Sequence, residues 1–323
     1  MTALLPSLVG VASVGLAVNI GANNSAAEMG PAVGAGARSR RQALALIAIF
    51  CTTGAILAGG RVLHSIGHGL IGDGTLRANP MAALIAITAA QCLVLLANVL
   101  KVPLSTAHVV VGAMIGLGVS YGTTNVHLAG TMVAWWVATP VAALLLAYAL
   151  ARFVYPRLIL AAGRLGSEQA VYRALGWALT LSGCWMAFSA GSNSLAKAMG
   201  PAVGAGVLSG QTAAVIGGLG MSLGALLFGG SLINTVGKEI TKICPICAVL
   251  VELLSASIVF TASRFGMPVS LAEIVTSAVV GFSLAANGLR RTSANQRVRR
   301  MAVLWPLAPV ASAVVTFGLM SFR

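Results

Sequence analysis

Charged residues are scarce in this chain. Only 8% of its 323 residues are Asp, Glu, Lys or Arg, whereas 58% are hydrophobic. A soluble domain usually carries about 25% charged residues. This shortage excludes a charged, solvated surface of the usual extent, so we expect the chain to lie in a lipid bilayer.

Groups suited to redox, metal or nucleophilic chemistry are also few. Cys244 and Cys247 have the spacing of a redox or metal motif, but there is no second pair, and we interpret the five cysteines as small buried thiols. His64 and His68 lie one helical turn apart near Asp73, which admits a surface metal site but is more typical of an interfacial amphipathic stretch. An intramembrane enzyme would need a convergent nucleophile and base or a set of metal ligands. We therefore predict neither an enzyme nor a cofactor or resident metal.

Long apolar segments, in contrast, follow one another along the whole chain. They cover approximately residues 3–22, 42–60, 81–99, 104–120, 128–150, 171–190, 211–229, 245–262, 268–286 and 302–321. Each is close to the ~20 residues that a helix needs to cross a bilayer. The sequence therefore predicts an all-α polytopic membrane protein without a separable soluble domain. The first segment lacks a basic leader, so we interpret it as a membrane helix rather than a cleaved signal.

The basic residues are distributed unevenly among the connections. The formal net charge is +14, and if the segments cross one after another, most Lys and Arg fall in alternate connections, such as those with Arg38, Arg157 and Arg297. This is the positive-inside bias, which places those connections in the cytoplasm and both termini outside it. We predict the bacterial cytoplasmic membrane, where this charge sets the topology and can contact anionic lipid. The pattern argues against nucleic-acid binding.

The heptapeptide GPAVGAG occurs twice, at residues 30–36 and 200–206, an offset of 170. Each half of the chain has five predicted segments, an odd number, so the second half must enter the membrane from the opposite face. The sequence thus predicts inverted repeats over residues 1–150 and 174–323, joined by a cytoplasmic connection at 151–173. Two inverted halves that share a site near the midplane are typical of transporters.

The repeated motif combines helix-breaking and polar residues. Glycines and Pro31 are unfavourable in a helix interior, so we expect a broken helix whose new N-terminus suits an anion. Close packing through small residues is the alternative interpretation. The polar members of the two copies are the first candidate binding residues: Asn23, Asn24, Ser25, Ser192, Asn193 and Ser194.

A second repeated element has the offset 165 and begins at Lys101 and Gly266. Within it Pro103 matches Pro268, Ser105 matches Ser270, and His108 matches Glu273. Proline followed by serine two residues later is a plausible helix start, because the serine can cap free N–H groups. Four half-helix starts could then converge on one ligand, with hydroxyl groups completing an oxyanion cage. The hydroxyl candidates are Ser105, Thr106 and Ser270.

These motifs resemble those of the inorganic phosphate transporter (PiT) family. That family's pattern is approximately GANDVANAFGTSVGSG followed by a P-V-S-T-T-H element, and the similarity spans essentially the whole chain, twice over. The resemblance implies inverted repeats, re-entrant helical hairpins that meet near the midplane, and transport; the best-known activity of the family is sodium-driven phosphate uptake.

The chain departs from that pattern at the charged positions. The family's aspartate falls on Asn24 and Ser194, and its second asparagine falls on Ala27 and Lys197. Losing both carboxylates removes charge that would hold sodium, and a donor-only cage suits a fully ionised oxyanion such as sulfate. The Asp-free motif is similar to that of a divergent bacterial sulfate permease branch. We therefore predict sulfate import, with sodium-coupled phosphate transport and an uncoupled anion channel as alternatives.

Four ionisable residues are candidates for coupling or charge compensation, since such residues inside a membrane are usually functional. Lys197 could supply the positive charge that sodium gives elsewhere in the family, or pair with Glu28. A coupled proton could be carried by Glu28, Glu273 or His108. The alternatives are a structural ion pair for Glu28 with Lys197 and a helix-capping or core role for His108. Glu252 has no predicted partner. The sequence leaves the oligomeric state open, a homodimer included.

Overall fold

The computed structural model describes residues 4–72, 74–99, 104–164, 167–230, 233, 244–293 and 296–322. Nearly all of these residues are helical. The α-helices are α1 (Leu4–Gly34), α2 (Arg40–Ala58), α3 (Gly60–His64), α4 (Thr75–Ala78), α5 (Pro80–Val99), α6 (Thr106–Tyr121), α7 (Val126–Ala149), α8 (Tyr155–Gly163), α9 (Glu168–Gly204), α10 (Gly210–Gly224), α11 (Pro245–Arg264), α12 (Leu271–Ser293) and α13 (Gln296–Ser321). Each of the ten predicted segments falls on one of them, which confirms the predicted all-α class.

Six helices of the described part are long and apolar enough to cross a membrane, and three shorter apolar helices accompany them. The shorter ones include both arms of the α5–α6 hairpin and the C-terminal end of α13. Short π-helical stretches at Ser65–Gly69, Leu150–Val154 and Ala225–Gly229 extend or bend their neighbours. The chain is therefore an integral membrane protein.

The predicted break within the GPAVGAG motif is wrong. Helix α1 continues through the first copy to Gly34 with Pro31 inside it, and α9 continues through the second copy to Gly204. Each helix then ends in a tight turn, where Gly36 and Gly206 adopt φ values of 72° and 71°. Only glycine enters that left-handed region at little cost, so the last glycine of each motif terminates a helix rather than starting one.

The other glycines of the motif region allow backbones to approach closely. A side chain at Gly21 would collide with the carbonyl of Met221, and one at Gly191 would collide with that of Cys51. These two contacts are reciprocal: 191 is 170 beyond 21, and 221 is 170 beyond 51. Reciprocal contacts of this kind are what a two-fold axis between related units produces. They agree with the predicted duplication and favour the packing interpretation of the small residues.

The two halves interlock rather than lying side by side. Helices α1 and α2 of the first half pack against α9 and α10 of the second. Outside this group, α6 packs on α13 and α7 packs on α12, so each pair also joins one half to the other. Gly112 and Gly116 of α6 lie directly against carbonyl groups of Pro309 and Ala313. The N-terminal ends of α6 and α12 at Ser105 and Ser270, which we call the hairpin tips, are buried, and helices of both the α5–α6 and the α11–α12 hairpins contact α9.

Candidate functional site

Two of the four expected half-helix starts are present, one at each hairpin tip. The hydroxyl of Ser105 begins α6 by accepting a hydrogen bond from the backbone N–H of His108, at 3.3 Å. Ser270 begins α12 in the same way, accepting from the N–H of Glu273 at 3.3 Å. Both serines are buried. Pro103 lies outside the described residues, whereas the carbonyl of Pro268 accepts a hydrogen bond from Trp136 Nε1 at 2.8 Å.

The two tips meet where the side chains of His108 and Glu273 lie against each other. His108 Nδ1 lies 3.2 Å from Glu273 Oε1 and also donates to the carbonyl oxygen of Trp305 at 3.1 Å. Because a carbonyl can only accept, Nδ1 carries the hydrogen, and Nε2 has no hydrogen-bond partner among the described residues. The imidazole packs 4.2 Å from the ring of Trp136, centroid to centroid. The sequence matched His108 with Glu273 as equivalent positions, and the structure shows that they touch.

Residues of the second motif hold the second tip in place. Asn193 Nδ2 donates to Ser263 Oγ at 3.0 Å and to the carbonyl of Met267 at 2.9 Å, and its Oδ1 accepts from the N–H of Val269 at 3.0 Å. Ser192 Oγ donates to the carbonyl of Ser189 at 2.8 Å and lies 3.1 Å from Ser263 Oγ. All of the polar atoms of the Asn193 amide are therefore used to fix the hairpin, which leaves this residue a supporting role.

Lys197 reaches the same tip from one turn further along α9. Its side chain is 1% exposed, and its Nζ donates to the carbonyl of Val269 at 2.9 Å. Within the described residues it forms no ion pair with Glu28, so the pairing considered from the sequence is absent. Lys197 thus belongs with the hairpin tips.

The first motif contributes a neutral contact between the halves. Asn24 Nδ2 donates to Ser194 Oγ at 3.0 Å, and the two residues are 170 apart, which makes them equivalent positions. Ser25 Oγ is turned back to the carbonyl of Ala22 at 2.7 Å, while Asn23 is half-buried. Glu28 is 1% exposed, and its Oε2 has no hydrogen-bond partner in the described part of the chain.

We call the polar group around the two hairpin ends the tip cluster. It consists of Ser105, Thr106, His108, Lys197, Ser270 and Glu273, whose exposed fractions lie between 1% and 8%. The tip cluster therefore contains most of the predicted hydroxyl and coupling residues, and Glu28 and Ser25 are not among its members. The cluster combines hydroxyl donors, helix N-termini and an ammonium group, a set that suits an anion.

Sequence reasoning missed the partner of Glu252. This residue is 2% exposed, and its Oε2 accepts a hydrogen bond from Ser182 Oγ. It also missed a hydrogen bond of 2.7 Å between the hydroxyls of Thr52 and Ser222. The offset of 170 could have revealed the second pair, because 52 and 222 are equivalent positions. Nothing in the sequence pattern marks the first.

The cysteines and histidines outside the tip cluster give no metal centre. The described residues contain no group of three or more His, Cys, Asp or Glu that could hold an ion. The N–H of Cys247 donates to Cys244 Sγ at 3.2 Å, so the first thiol caps α11. Among the five free thiols Cys92 is exposed and Cys244 is intermediate, so the predicted burial is wrong for these two. Asp73, which was considered with His64 and His68, lies outside the described residues.

Fold and site together define a polytopic helical membrane protein with a buried polar centre that suits an anion. The chain belongs to the phosphate transporter family, whose sequence profile matches residues 20–316. It is 36% identical over 311 residues to the sulfate permease CysP of Bacillus subtilis, covering 96% of this chain and 85% of that protein. It is 25% identical to the chloroplastic inorganic phosphate transporter 2-1 of Arabidopsis thaliana, covering 94% of this chain and 70% of the relative.

A solved structure supports the fold. It is titled "The sodium-dependent phosphate transporter" and superposes with a TM-score of 0.82 over 100% of this chain and 99% of that one, at 24% sequence identity. Since the family and its named relatives are transporters, the protein is a membrane transporter and not an enzyme. Its substrate belongs to the inorganic anions.

Proposed function

We propose that the protein imports sulfate by secondary active transport coupled to protons. The B. subtilis relative, which is 36% identical over nearly the whole chain, is named a sulfate permease. We further propose that the protein lies in the bacterial cytoplasmic membrane with both termini outside, and that its halves span residues 1–150 and 174–323. The bias of basic residues toward alternate connections supports this orientation.

The observation that carries the proposal is the buried ammonium of Lys197 beside the second hairpin tip. A charged group in a protein interior is costly unless it is paired, and one carbonyl acceptor at 2.9 Å uses one of its three N–H donors. A divalent oxyanion bound between the tips would accept the others. Lys197 would then be a fixed cation that replaces a bound sodium ion.

The uncharged contact between Asn24 and Ser194 also supports sulfate as the substrate. Asn24 and Ser194 occupy the positions where the family pattern has aspartate, and they hydrogen-bond to each other at 3.0 Å. An amide and a hydroxyl offer no negative charge to hold sodium. They also leave no carboxylate there to accept a proton from a protonated phosphate, which favours an anion that is fully ionised at neutral pH.

The coupled proton is assigned to the pair of His108 and Glu273. Their side chains touch at 3.2 Å, they lie in the first turns of the two hairpin helices that would separate to release a ligand, and imidazole and carboxyl groups both exchange protons. Protonation would change the attraction between the tips and so link proton binding to hairpin movement. Glu28 is the second candidate, because its buried Oε2 lacks a described partner.

Uptake of labelled anions into proteoliposomes, with pH and sodium gradients imposed separately, tests the proposal. We expect sulfate accumulation that is driven by an inward proton gradient, indifferent to sodium and competed by excess unlabelled sulfate. Sodium-driven phosphate uptake that sulfate does not compete would reject both the substrate and the coupling ion; the name of the Arabidopsis relative keeps this alternative open. Sulfate flux that follows its own gradient, without accumulation under either gradient, would identify a channel.

A further inference from the structure

A cavity of about 320 Å³ opens on the face where α1 ends and α9 and α11 begin. It is separate from the tip cluster and plays no part in the proposed transport chemistry. Its walls are the turn at residues 35–38, the first turns of α9 and Pro245 at the start of α11. Two arginines, Arg38 and Arg173, line it, and its lining includes no carboxylate.

Both arginines are available to an anion. Arg38 Cζ lies 4.5 Å above the centroid of the Trp177 ring, and its Nη1 donates to the carbonyl of Ala37 at 3.0 Å. Arg173 makes a long contact of 3.5 Å from Nε to the carbonyl of Gln169 in its own helix. Neither forms an ion pair with a described residue. A guanidinium has five N–H donors in a fork that matches phosphate oxygens, so most of these donors are unused.

The cavity lining includes two exposed aromatic side chains, which we call its aromatic floor, and an exposed leucine follows on the same helix. Tyr172 is 74% exposed and Trp177 is 61% exposed, and Leu181, one turn further along α9, is 65% exposed. Tyrosine and tryptophan concentrate where a membrane protein meets the headgroup layer. Ligand pockets for larger groups measure roughly 300–1,000 Å³, and a small tetrahedral anion has no use for an apolar floor of this kind.

The chain segments that form the cavity are rich in arginine. Arg38 lies in the turn after α1, Arg40 and Arg41 begin α2, and Arg173 lies in the first turns of α9, which follows α8 with Arg157. Basic pockets of this kind between membrane helices attract the headgroups of anionic lipids. The arginines, the exposed aromatic side chains and the position of the cavity all favour an anionic lipid headgroup as its occupant.

We propose that this cavity binds the phosphodiester headgroup of an anionic phospholipid, with Arg38 and Arg173 on the phosphate oxygens and the acyl chains along Trp177 and Leu181. The cation–π contact holds the Arg38 guanidinium in place before the lipid arrives. A free oxyanion presents the same tetrahedral oxygens, so the test must separate the two sources.

Purified full-length protein is titrated with phosphatidylglycerol in phosphatidylcholine nanodiscs, and retained lipid is counted by native mass spectrometry. We expect phosphatidylglycerol to be retained over phosphatidylcholine, and the double variant Arg38→Gln/Arg173→Gln to lower that preference about tenfold. Arg157→Gln removes an exposed arginine of α8 that does not line the cavity. It is the matched control and should bind phosphatidylglycerol as the unmodified protein does. Trp177→Leu keeps the lining apolar but removes the cation–π contact of Arg38. Its preference for phosphatidylglycerol should lie between that of the double variant and that of the control.

Equal retention by the double variant and the control would overturn the proposal. A second arm adds sodium sulfate, or inorganic phosphate, to the phosphatidylcholine preparation: if these ions raise the unfolding temperature through Arg38 and Arg173 and phosphatidylglycerol does not, the cavity belongs to a free oxyanion instead. If the double variant does not fold, photoactivatable phosphatidylglycerol is cross-linked to the unmodified protein. Labelling must then fall on the peptide around Tyr172 and Trp177, and labelling elsewhere rejects the site.

Discussion

Lys197 is an unusual residue for the interior of a membrane bundle. It is the largest of the side chains that are less than 2% exposed in the described chain, and its Nζ contacts the carbonyl of Val269, the residue before the capping Ser270. An intramembrane cation is retained when it has a functional partner. In the proposed function that partner is the transported anion.

Replacing Lys197 by methionine separates a binding role from a structural one. We expect sulfate uptake to fall by roughly 10- to 100-fold, because a hydrogen bond to a charged group contributes about 1.5–3 kcal/mol. The unfolding temperature should stay equal or rise, since an apolar residue of similar length removes the cost of burying a charge. Uptake and thermal unfolding are measured on the same preparation. Normal sulfate uptake by the Lys197→Met variant would show that Lys197 does not bind the transported anion.

The proton carrier can be identified by comparing two carboxyl groups. Glu273→Gln should abolish acceleration by a proton gradient while sulfate–sulfate exchange continues, because exchange needs no net proton movement. Glu28→Gln should retain the response to the gradient, and Glu168→Gln, at the exposed start of α9, is the control for the loss of a carboxylate. If uptake by Glu28→Gln, but not by Glu273→Gln, no longer responded to the proton gradient, the proton carrier would be Glu28 of α1 instead of a residue of the tip cluster.

At the scale of the helices, glycine determines how closely the two halves approach. The backbone of α1 at Gly21 lies against α10 at Met221, and the backbone of α9 at Gly191 lies against α2 at Cys51. In lipid, helices associate through close packing rather than through the hydrophobic effect. A methyl group at either glycine would force a backbone to move, which gives these positions a measurable structural cost.

Gly21→Ala and Gly191→Ala should destabilise the protein to a similar extent, by about 1–3 kcal/mol each, as expected for overpacking. Gly130→Ala in α7 is the control: a Cβ there meets no atom within 4 Å, and alanine suits a helix better than glycine by about 0.5–1 kcal/mol. Unfolding in detergent measures all three. A neutral Gly21→Ala variant together with a strongly destabilised Gly191→Ala variant would contradict the reciprocal packing.

At the scale of the whole molecule, three contacts join equivalent positions of the two halves. They are Asn24 with Ser194, Thr52 with Ser222, and His108 with Glu273. If a two-fold axis relates the halves, as the predicted inversion requires, it must pass near all three contacts. If the hairpins re-enter rather than cross, each half still has an odd number of crossings, and the predicted inversion does not depend on the count.

Fixing the halves to each other on this axis should stop transport if they move against each other. The hydroxyls of Thr52 and Ser222 are 2.7 Å apart, which suits a disulfide in the variant Thr52→Cys/Ser222→Cys made with Cys51→Ser. We expect oxidation to block sulfate uptake and reduction to restore it, while each single-cysteine variant stays active under both conditions. Full uptake by the oxidised double variant, with the disulfide confirmed by mass spectrometry, would show that this part of the axis is rigid during transport.

Particular residues show how far sequence reasoning reached. The offsets of 170 and 165 matched Asn24 with Ser194 and His108 with Glu273 as equivalent positions, but did not predict that their side chains touch. The Pro-x-Ser pattern correctly located the caps at Ser105 and Ser270. The same reasoning expected a break at Pro31, where α1 is continuous. A glycine- and proline-rich stretch has poor helix propensity in isolation, but tight packing between helices overrides that preference.

The sequence by itself determined that the protein lies in a membrane, that it is helical, that it contains an internal repeat and which family it belongs to. Composition, segment length and repeated motifs can all be read directly along the chain. Tertiary structure alone decided that α1 and α9 stay intact, that Asn193 is used up in holding a hairpin, and that Lys197 faces Val269 rather than pairing with Glu28. These features depend on which helices of the two halves pack against each other. That arrangement follows from packing between distant segments, which no short stretch of sequence specifies.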